Sequence, residues 1–460
     1  MIGLGFPVSS CDVRRAVQES GRLYSCGSRR RRVYDLFRLQ RPDCSADRGR
    51  LPLPSRHNAS QSRRHCVGAT IVKNVSVVGG SIAGLRAAET LRRAGFDGGV
   101  SLFGDEPLGP YQRPPLSKQY LSQATTPSAP VLDVSTDLDI TVETGRHIDA
   151  VDFGSRQLVA ADGWRKSFDG LVIATGARAR RLKDIDRLSG VYSLRSLEDA
   201  RQIRAELERR PEVVVVGAGF IGCEVASSCR LAGLSVTMVD PLGAPLQRVL
   251  GNWVGRFLAG LHSDHGTRLL LGVGVAGLEG DGHVSGVRLT DGQLIKADLV
   301  VEGLGVVPET RWLESSGLVL SNGVECDSRC RVLGVDGVVA AGDVARWKHP
   351  FFGDIRLEHW ENAVLQGEAA ALSLLHGNAA QPYAPVPFFW SDQYDTKLQL
   401  VGLPAEGDDF TLIDGTLARQ KFLGAYGDVQ CPSAVLAVNN PGAIHKYRNT
   451  VACARIARWS

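Results

Sequence analysis

Long apolar runs are missing from this 460-residue chain. A membrane-spanning helix needs about 18 or more consecutive apolar residues, and the longest uncharged candidate, Val213 to Cys223, is far shorter. No membrane span is therefore expected. Disulfide density is missing too. Of the ten Cys, four (Cys11, Cys26, Cys44 and Cys66) lie near the start and the other six form no dense framework for a chain of this size,. A reduced, cytoplasmic protein is the expectation. No Cys occurs between Val67 and Gly222. Nor is there one dominant charge: the formal net charge is only +4.

That small number hides an asymmetry. Residues 1–70 carry 14 Arg, no Lys and five acidic residues, whereas the remainder is mildly acidic at −5. The basic pI thus belongs to one segment, and binding of the whole chain to nucleic acid is not expected. Segment 1–70 lacks helical or strand periodicity. An organellar transit peptide fits its Arg and Ser but not its Asp and Glu, and a nucleic-acid arm fits the run Arg29 to Arg32. We expect a disordered Arg-rich extension. With 43% hydrophobic and 22% charged residues, the rest has an ordinary globular composition,, and the length suggests roughly three domains.

From Val75 the texture changes. VSVVGGSIAGLRAAETLRRAGF reads strand, glycine turn, amphipathic helix, and SLFGDE follows as a strand ending in acid,. The pattern restarts at EVVVVGAGFIGCEVASSCRLAGLSVTMVD, 138 residues further on counted from Gly79 to Gly217. Two βαβ units imply two nucleotide sites. Between and after them LVIATGA, ADLVVEGLGVVP and GVVAAGDVA read as buried strands running into turns. Residues 356–375 look helical. PYAPVPFF marks a linker into a small C-terminal α+β domain from about Pro385.

In the second turn Gly217, Gly219 and Gly222 fit the dinucleotide fingerprint: one glycine for the tight turn, one for close approach of the pyrophosphate, one for helix–strand packing. The helix N-terminus adds free N–H groups and a positive dipole end. Asp240 ends the next strand, placed to accept from a ribose 2′-hydroxyl and to repel a 2′-phosphate, so NADH is expected over NADPH,. The first turn has Gly79 and Gly84 at its outer positions but Ser81 in the middle, where a side chain crowds the phosphate unless its hydroxyl joins the binding. Glu106, at the following strand end, is placed for a ribose diol.

The motifs VVGGSIAGLRAAETLR, PYQRPPLSKQYL, LVIATGA, LRSLEDA, VVVGAGFIGCEVA, GLGVVP, VVAAGDVA, EHWENAVLQG and FFWSDQYDTKLQLVG, in this order over most of 75–402, resemble the FAD-dependent NADH:ferredoxin reductases. This is the oxygenase-coupled group of putidaredoxin reductase and rhodocoxin reductase. The resemblance implies an α/β fold of glutathione-reductase type, with two Rossmann-like dinucleotide-binding domains and a small C-terminal α+β domain. It implies an FAD-binding domain over 72–180 and 307–384, an NAD-binding domain over 181–306 and a reductase domain over 385–460. A hydride would pass from NADH to FAD, and single electrons from FAD to a small iron–sulfur ferredoxin serving a cytochrome P450 or another oxygenase.

Residue roles follow from the same resemblance. Glu106, Ile148, Arg195 and Asp343 would contact FAD, and Lys118 would sit beside its isoalloxazine. Trp360 would open a helix aimed at the flavin, with Trp390 covering the flavin edge. Glu224 would pair with Lys118 to place the nicotinamide. Glu309 stands where relatives often carry Asn. No residues are expected to bind a metal, and the protein is expected to be a monomer or homodimer. Disulfide reductases and NADH peroxidases share this fold but need a Cys near the flavin, which the Cys-free stretch argues against. CxxxC at Cys326 and Cys330 lacks a second ligand pair for zinc, and His262 and His265 read as a polar loop. The alternatives are an NADH oxidase or diaphorase, and an apoptosis-inducing-factor-like signalling flavoprotein that its Arg-rich segment would suit.

Overall fold

The structure is a computed structural model that describes residues 72–457 other than 124, 126 and 183–187. The Arg-rich segment 1–70 lies outside the described residues.

Two five-stranded parallel sheets carry the two βαβ units. In the first, strand Asn74–Val78 pairs with Gly99–Phe103 on one side and Gly170–Ile173 on the other; Thr141–Glu143 and Val338–Ala340 form the edges. In the second, Val213–Val216 lies between Val236–Asp240 and Leu299–Glu302, with Arg268–Leu271 and Val191–Ser193 outermost. Each central strand is buried on both faces, Val213–Val216 wholly apolar and Asn74–Val78 apolar from Val75 on apart from Ser76, the signature of a covered parallel sheet,. The right-handed βαβ crossover then lays the helices Ile82–Arg93 and Phe220–Leu231 on their sheets, Leu85, Ala88 and Leu91 filling the core of the first,.

The stretch ADLVVEGLGVVP, expected as one strand, is two. Leu299–Glu302 completes the second sheet, and Val306–Pro308 pairs antiparallel with Ala177–Ala179. The break falls at Gly303–Gly305, where Gly303 abuts the backbone of Gly222 and the chain needs close approach rather than a side chain,.

Helix Trp360–His376 matches the helix read at 356–375 within the usual drift of boundaries,. After it, strands Phe388–Gln393, Thr396–Gly402, Cys431–Val438, Lys421–Asp428 and Phe410–Thr416 form an antiparallel sheet, in that spatial order, with helix Pro441–Ala457. This is the mixed α/β fold of glutathione-reductase type. One core cluster joins Leu116 and Tyr120 from the PYQRPPLSK loop, Val225 and Val301 from the second sheet layer, and Phe389 and Leu398 from the C-terminal sheet. Three separate stretches of chain thus meet around one helix, Phe220–Leu231. Among the described residues no helix is long and apolar enough to cross a membrane.

Candidate active site

Both glycine turns are built as close-approach sites. Gly79 and Gly217 hold φ of +123° and +101°, which side chains rarely adopt,. A Cβ on Gly84 would stand 2.1 Å from the carbonyl oxygen of Gly79, and one on Gly222 would stand 1.9 Å from that of Gly217. Only glycine lets the helix start this near its strand. Ser81 is the N-cap of helix Ile82–Arg93 in extended geometry, and its side chain makes no capping hydrogen bond. Gly219 caps helix Phe220–Leu231, with open room around its Cα.

The acids that follow the next strands differ: Asp240 is the last residue of its strand, whereas Glu106 lies in the loop beyond Phe103. Asp240 clamps the second turn: it accepts from the Ala218 N–H at 2.7 Å and the Leu242 N–H at 2.8 Å. Glu106 accepts from Arg113 at 2.7 Å on one oxygen and from the Tyr111 hydroxyl at 2.6 Å on the other. Its carboxylate is turned onto its own loop. Burial pushes the Tyr111 hydroxyl well above its ordinary range, the neighbouring Arg113 opposing and Glu106 adding to the rise. Arg113 also donates to the Arg195 carbonyl at 2.7 Å, tying the loop to the start of helix Leu197–Leu207.

Arg195 and Asp343, distant in sequence, are paired at 2.9 Å, and Arg195 further donates to the Ala177 carbonyl. Asp343 lies in the turn Gly342–Val344, which is held by a hydrogen bond from the Gly342 N–H to Gln366. Ile148 is buried in the first core. Glu309 binds Arg311 at 2.8 Å. Trp360 opens helix Trp360–His376, with its ring 6.1 Å from that of Trp390.

Beside them His359 Nδ1 and Trp360 Nε1 are buried with no protein partner. Burial drives the His359 imidazole down to about 4, Asp343 opposing. Unpartnered polar atoms at a helix N-terminus, next to the Arg195–Asp343 pair, fit the polar edge of a flavin. With the glycine turn of the first unit, these residues fit FAD.

Lys118 and Glu224 meet. Lys118 Nζ lies 2.7 Å from Glu224 Oε2, and Glu224 is buried just past the first turn of the second cradle's helix. Two serines complete the carboxylate: Ser117 Oγ donates to Oε2 at 2.5 Å and Ser391 Oγ to Oε1 at 2.6 Å. Neither was flagged in the sequence, although both sit inside motifs, RPPLSK and FFWSDQY. Period 2 places Phe389, Ser391 and Gln393 on one buried face of their strand, and a polar residue there has to find a partner.

His262 and His265 correct an expectation. His262 lies in the last turn of helix Gln247–Asp264, fully buried between Tyr394 and Gln393, while His265 is the C-cap in the turn that follows. The helix's spaced Leu250, Val254, Leu258 and Leu261 carry it to that end,. Cys223, Cys229, Cys326 and Cys330 are buried free thiols, and burial raises all four above the ordinary thiol range, which keeps them inert,. Among the described residues no group of three or more His, Cys, Asp or Glu is arranged to hold a metal.

Two glycine cradles linked by a buried lysine–carboxylate pair define a pyridine-nucleotide-dependent flavoprotein oxidoreductase. The chain matches the family described as pyridine nucleotide-disulphide oxidoreductase over residues 73–367, and the reductase C-terminal family over 388–457. It belongs to the pyridine nucleotide-disulphide oxidoreductases, in the branch of the ferredoxin reductases. It is 37% identical to rhodocoxin reductase of Rhodococcus erythropolis over 73% of this chain and 79% of that one. It is 36% identical to the ferredoxin reductase component of chlorobenzene dioxygenase from Cupriavidus sp. (strain PS12), over 80% of this chain and 90% of the relative. Among solved structures, the covalent putidaredoxin reductase–putidaredoxin complex superposes with a TM-score of 0.77 at 32% identity, covering 82% of this chain and 93% of that one.

Proposed function

We propose that this protein is an FAD-containing, NADH-dependent ferredoxin reductase that supplies electrons, through a small iron–sulfur ferredoxin, to a cytochrome P450 or another oxygenase. The observation that carries the reading is the Lys118–Glu224 pair, which fastens the PYQRPPLSK loop to the N-terminal half of the second cradle's helix at 2.7 Å. FAD, when bound, accepts a two-electron hydride and releases electrons singly.

The residues do the rest. Gly79, Ser81 and Gly84 receive the FAD pyrophosphate at the N-terminus of helix Ile82–Arg93, and Gly217, Gly219 and Gly222 receive that of NADH. Asp343, held by Arg195, accepts from the FAD sugar chain, and Ile148 and Glu106 flank its adenosine end. Trp360 and His359 aim donors at the flavin ring from the helix start. Lys118 sets a positive charge beside the isoalloxazine, and Glu224 holds that ammonium in place and faces the nicotinamide. Asp240 favours NADH by keeping negative charge where a 2′-phosphate would lie. We assign 72–180 with 307–384 to FAD, 181–306 to NADH and 385–460 to the reductase C-terminal domain. We further propose a cytoplasmic monomer or homodimer without nucleic-acid partners.

Anaerobic stopped-flow mixing with NADH and with NADPH tests this. Fast flavin bleaching by NADH, slow bleaching by NADPH, and cytochrome c reduction that requires added ferredoxin are expected. Equal cytochrome c reduction without ferredoxin would favour the diaphorase reading. No bleaching by either nucleotide would overturn the assignment.

A further inference from the structure

We propose that Ser391 is a positioning residue for hydride transfer: a directed chain of hydrogen bonds from Thr267 ends on Glu224 through the Ser391 hydroxyl and so fixes the Lys118 ammonium. The proposal rests on the reading of the Lys118–Glu224 pair given above.

Burying a carboxylate is costly unless both oxygens find donors. Glu224 solves this unevenly. Lys118 and Ser117 both donate to Oε2, at 2.7 and 2.5 Å. Oε1 takes its donor from Ser391, at 2.6 Å, and Ser391 is fully buried in strand Phe388–Gln393. Without it the carboxylate has no fixed second anchor and can turn about its χ3 bond, taking the lysine's acceptor with it.

The direction of the chain is set by counting protons. Thr267 Oγ1 and Tyr394 Oη are 3.0 Å apart, and Tyr394 Oη lies 3.0 Å from His262 Nδ1. His262 Nε2 is 3.1 Å from Gln393 Oε1, which can only accept, so Nε2 carries the imidazole proton,. Burial holds this histidine near 4, hence neutral, so Nδ1 must accept from the tyrosine. Gln393 Nε2 donates to Ser391 Oγ at 3.3 Å. A serine has one proton; with an amide donor on its oxygen, that proton is directed at Glu224. Every link from Thr267 to the carboxylate points the same way, an arrangement in which neighbouring bonds polarise one another.

The same strand and the turn that follows it are keyed to the same helix at two further points. Phe389 packs edge-on against Phe220 with centroids 4.5 Å apart, and the Tyr394 N–H donates to Ser227 Oγ at 2.5 Å. Ser391 therefore sits between two fixed contacts, which leaves its hydroxyl little freedom to wander from Glu224.

The test uses the FAD-loaded protein and the variants Ser391→Ala, Ser391→Thr, Glu224→Ala and the double variant Ser391→Ala/Glu224→Ala. For Ser391→Ala we expect the limiting rate of flavin bleaching to fall about tenfold while NADH dissociation changes less than about twofold, because orientation and not binding is lost. Ser391→Thr, which restores the hydroxyl, should recover most of the rate. A readout independent of turnover is urea unfolding: the loss caused by Ser391→Ala should largely vanish in the Glu224→Ala background, since the contact is then already gone. If Glu224→Ala slows bleaching but Ser391→Ala does not, and the two unfolding effects simply add, the Ser391 proposal is overturned while the pair keeps its role. If Glu224→Ala itself leaves bleaching unchanged, the reading of the pair fails and takes the proposal with it. Should Ser391→Ala not retain FAD, Ser391→Cys keeps the volume with a weak donor, and the same criteria apply to it.

Discussion

Lys118 and Glu224 stand 106 positions apart in the chain and 2.7 Å apart in space. The lysine comes from the turn after the first nucleotide unit, the glutamate from the helix of the second, so the pair exists only when the two units are correctly apposed. Lys118→Met should therefore act twice. It leaves a buried carboxylate with hydroxyl donors alone, a loss of about 3 kcal/mol in unfolding free energy. It should also lower the limiting rate of flavin bleaching by NADH roughly 10²-fold with FAD still bound. A melting temperature and bleaching rate equal to those of the parent protein would remove the pair from the mechanism.

The two cradles can be separated by methyl groups. A Cβ at position 84 meets the Gly79 carbonyl oxygen at 2.1 Å, and one at 222 meets that of Gly217 at 1.9 Å. Both contacts are to backbone, so neither can be relieved by a side-chain rotation, and the strain should amount to roughly 3 kcal/mol or more. Gly84→Ala should purify without the yellow flavin absorbance. Gly222→Ala should remain yellow yet need far more NADH, at least about tenfold by titration. A Gly222→Ala protein with unchanged NADH affinity would mean that the second turn is not the nucleotide cradle.

Asp240 offers a sharper discrimination than cofactor charge alone. If its carboxylate only repelled a 2′-phosphate, Asp240→Ala would open the site to NADPH. Instead both of its oxygens hold backbone N–H groups of the glycine turn and of the following loop, at 2.7 and 2.8 Å. Removing it should slacken the turn itself. We expect kcat/KM for NADH to drop about 10- to 100-fold, and that for NADPH to rise by much less than this loss. A gain in NADPH efficiency comparable to the NADH loss would show that charge, not the clamp, governs the choice.

The sequence made the repeated βαβ units legible because period, glycine spacing and strand-end acids are all local signals. The approach of Lys118 to Glu224 was legible only through resemblance, since nothing local links two residues that far apart. Ser117 and Ser391 were not legible at all. A buried serine leaves the same trace as an exposed one, and only the alternation of Phe389, Ser391 and Gln393 hinted that the hydroxyl faces inward. Glu106 carries the opposite lesson. Its position at a strand end suggested an open acceptor, but Arg113 and Tyr111, a few residues on, turn back onto it. His262 is helical because Val254, Leu258 and Leu261, at helical spacing after the break at Gly251 with φ of +73°, carry the helix past it, whereas His265 falls in the turn beyond.

His262 makes the C-terminal hydrogen-bond chain sensitive to acid. Its folded value is depressed to about 4, chiefly by burial, against about 6.5 in an unfolded chain. For a base depressed by folding, the sign is fixed: above about 6.5 neither state holds the proton and the full stability is present. As pH falls from there towards 4 the unfolded chain takes up a proton that the folded protein refuses, so stability declines, by about 3 kcal/mol at most from this residue. Protonation would also put a second donor on Nδ1, facing the tyrosine hydroxyl that donates to it. We therefore expect the urea midpoint to fall between pH 7.5 and pH 5, and His262→Gln, which does not titrate, to flatten that decline while being less stable than the parent protein at neutral pH. Parallel pH curves for the parent and the variant would assign the acid sensitivity to other groups, and with it would go the neutral imidazole on which the direction of the chain to Ser391 depends.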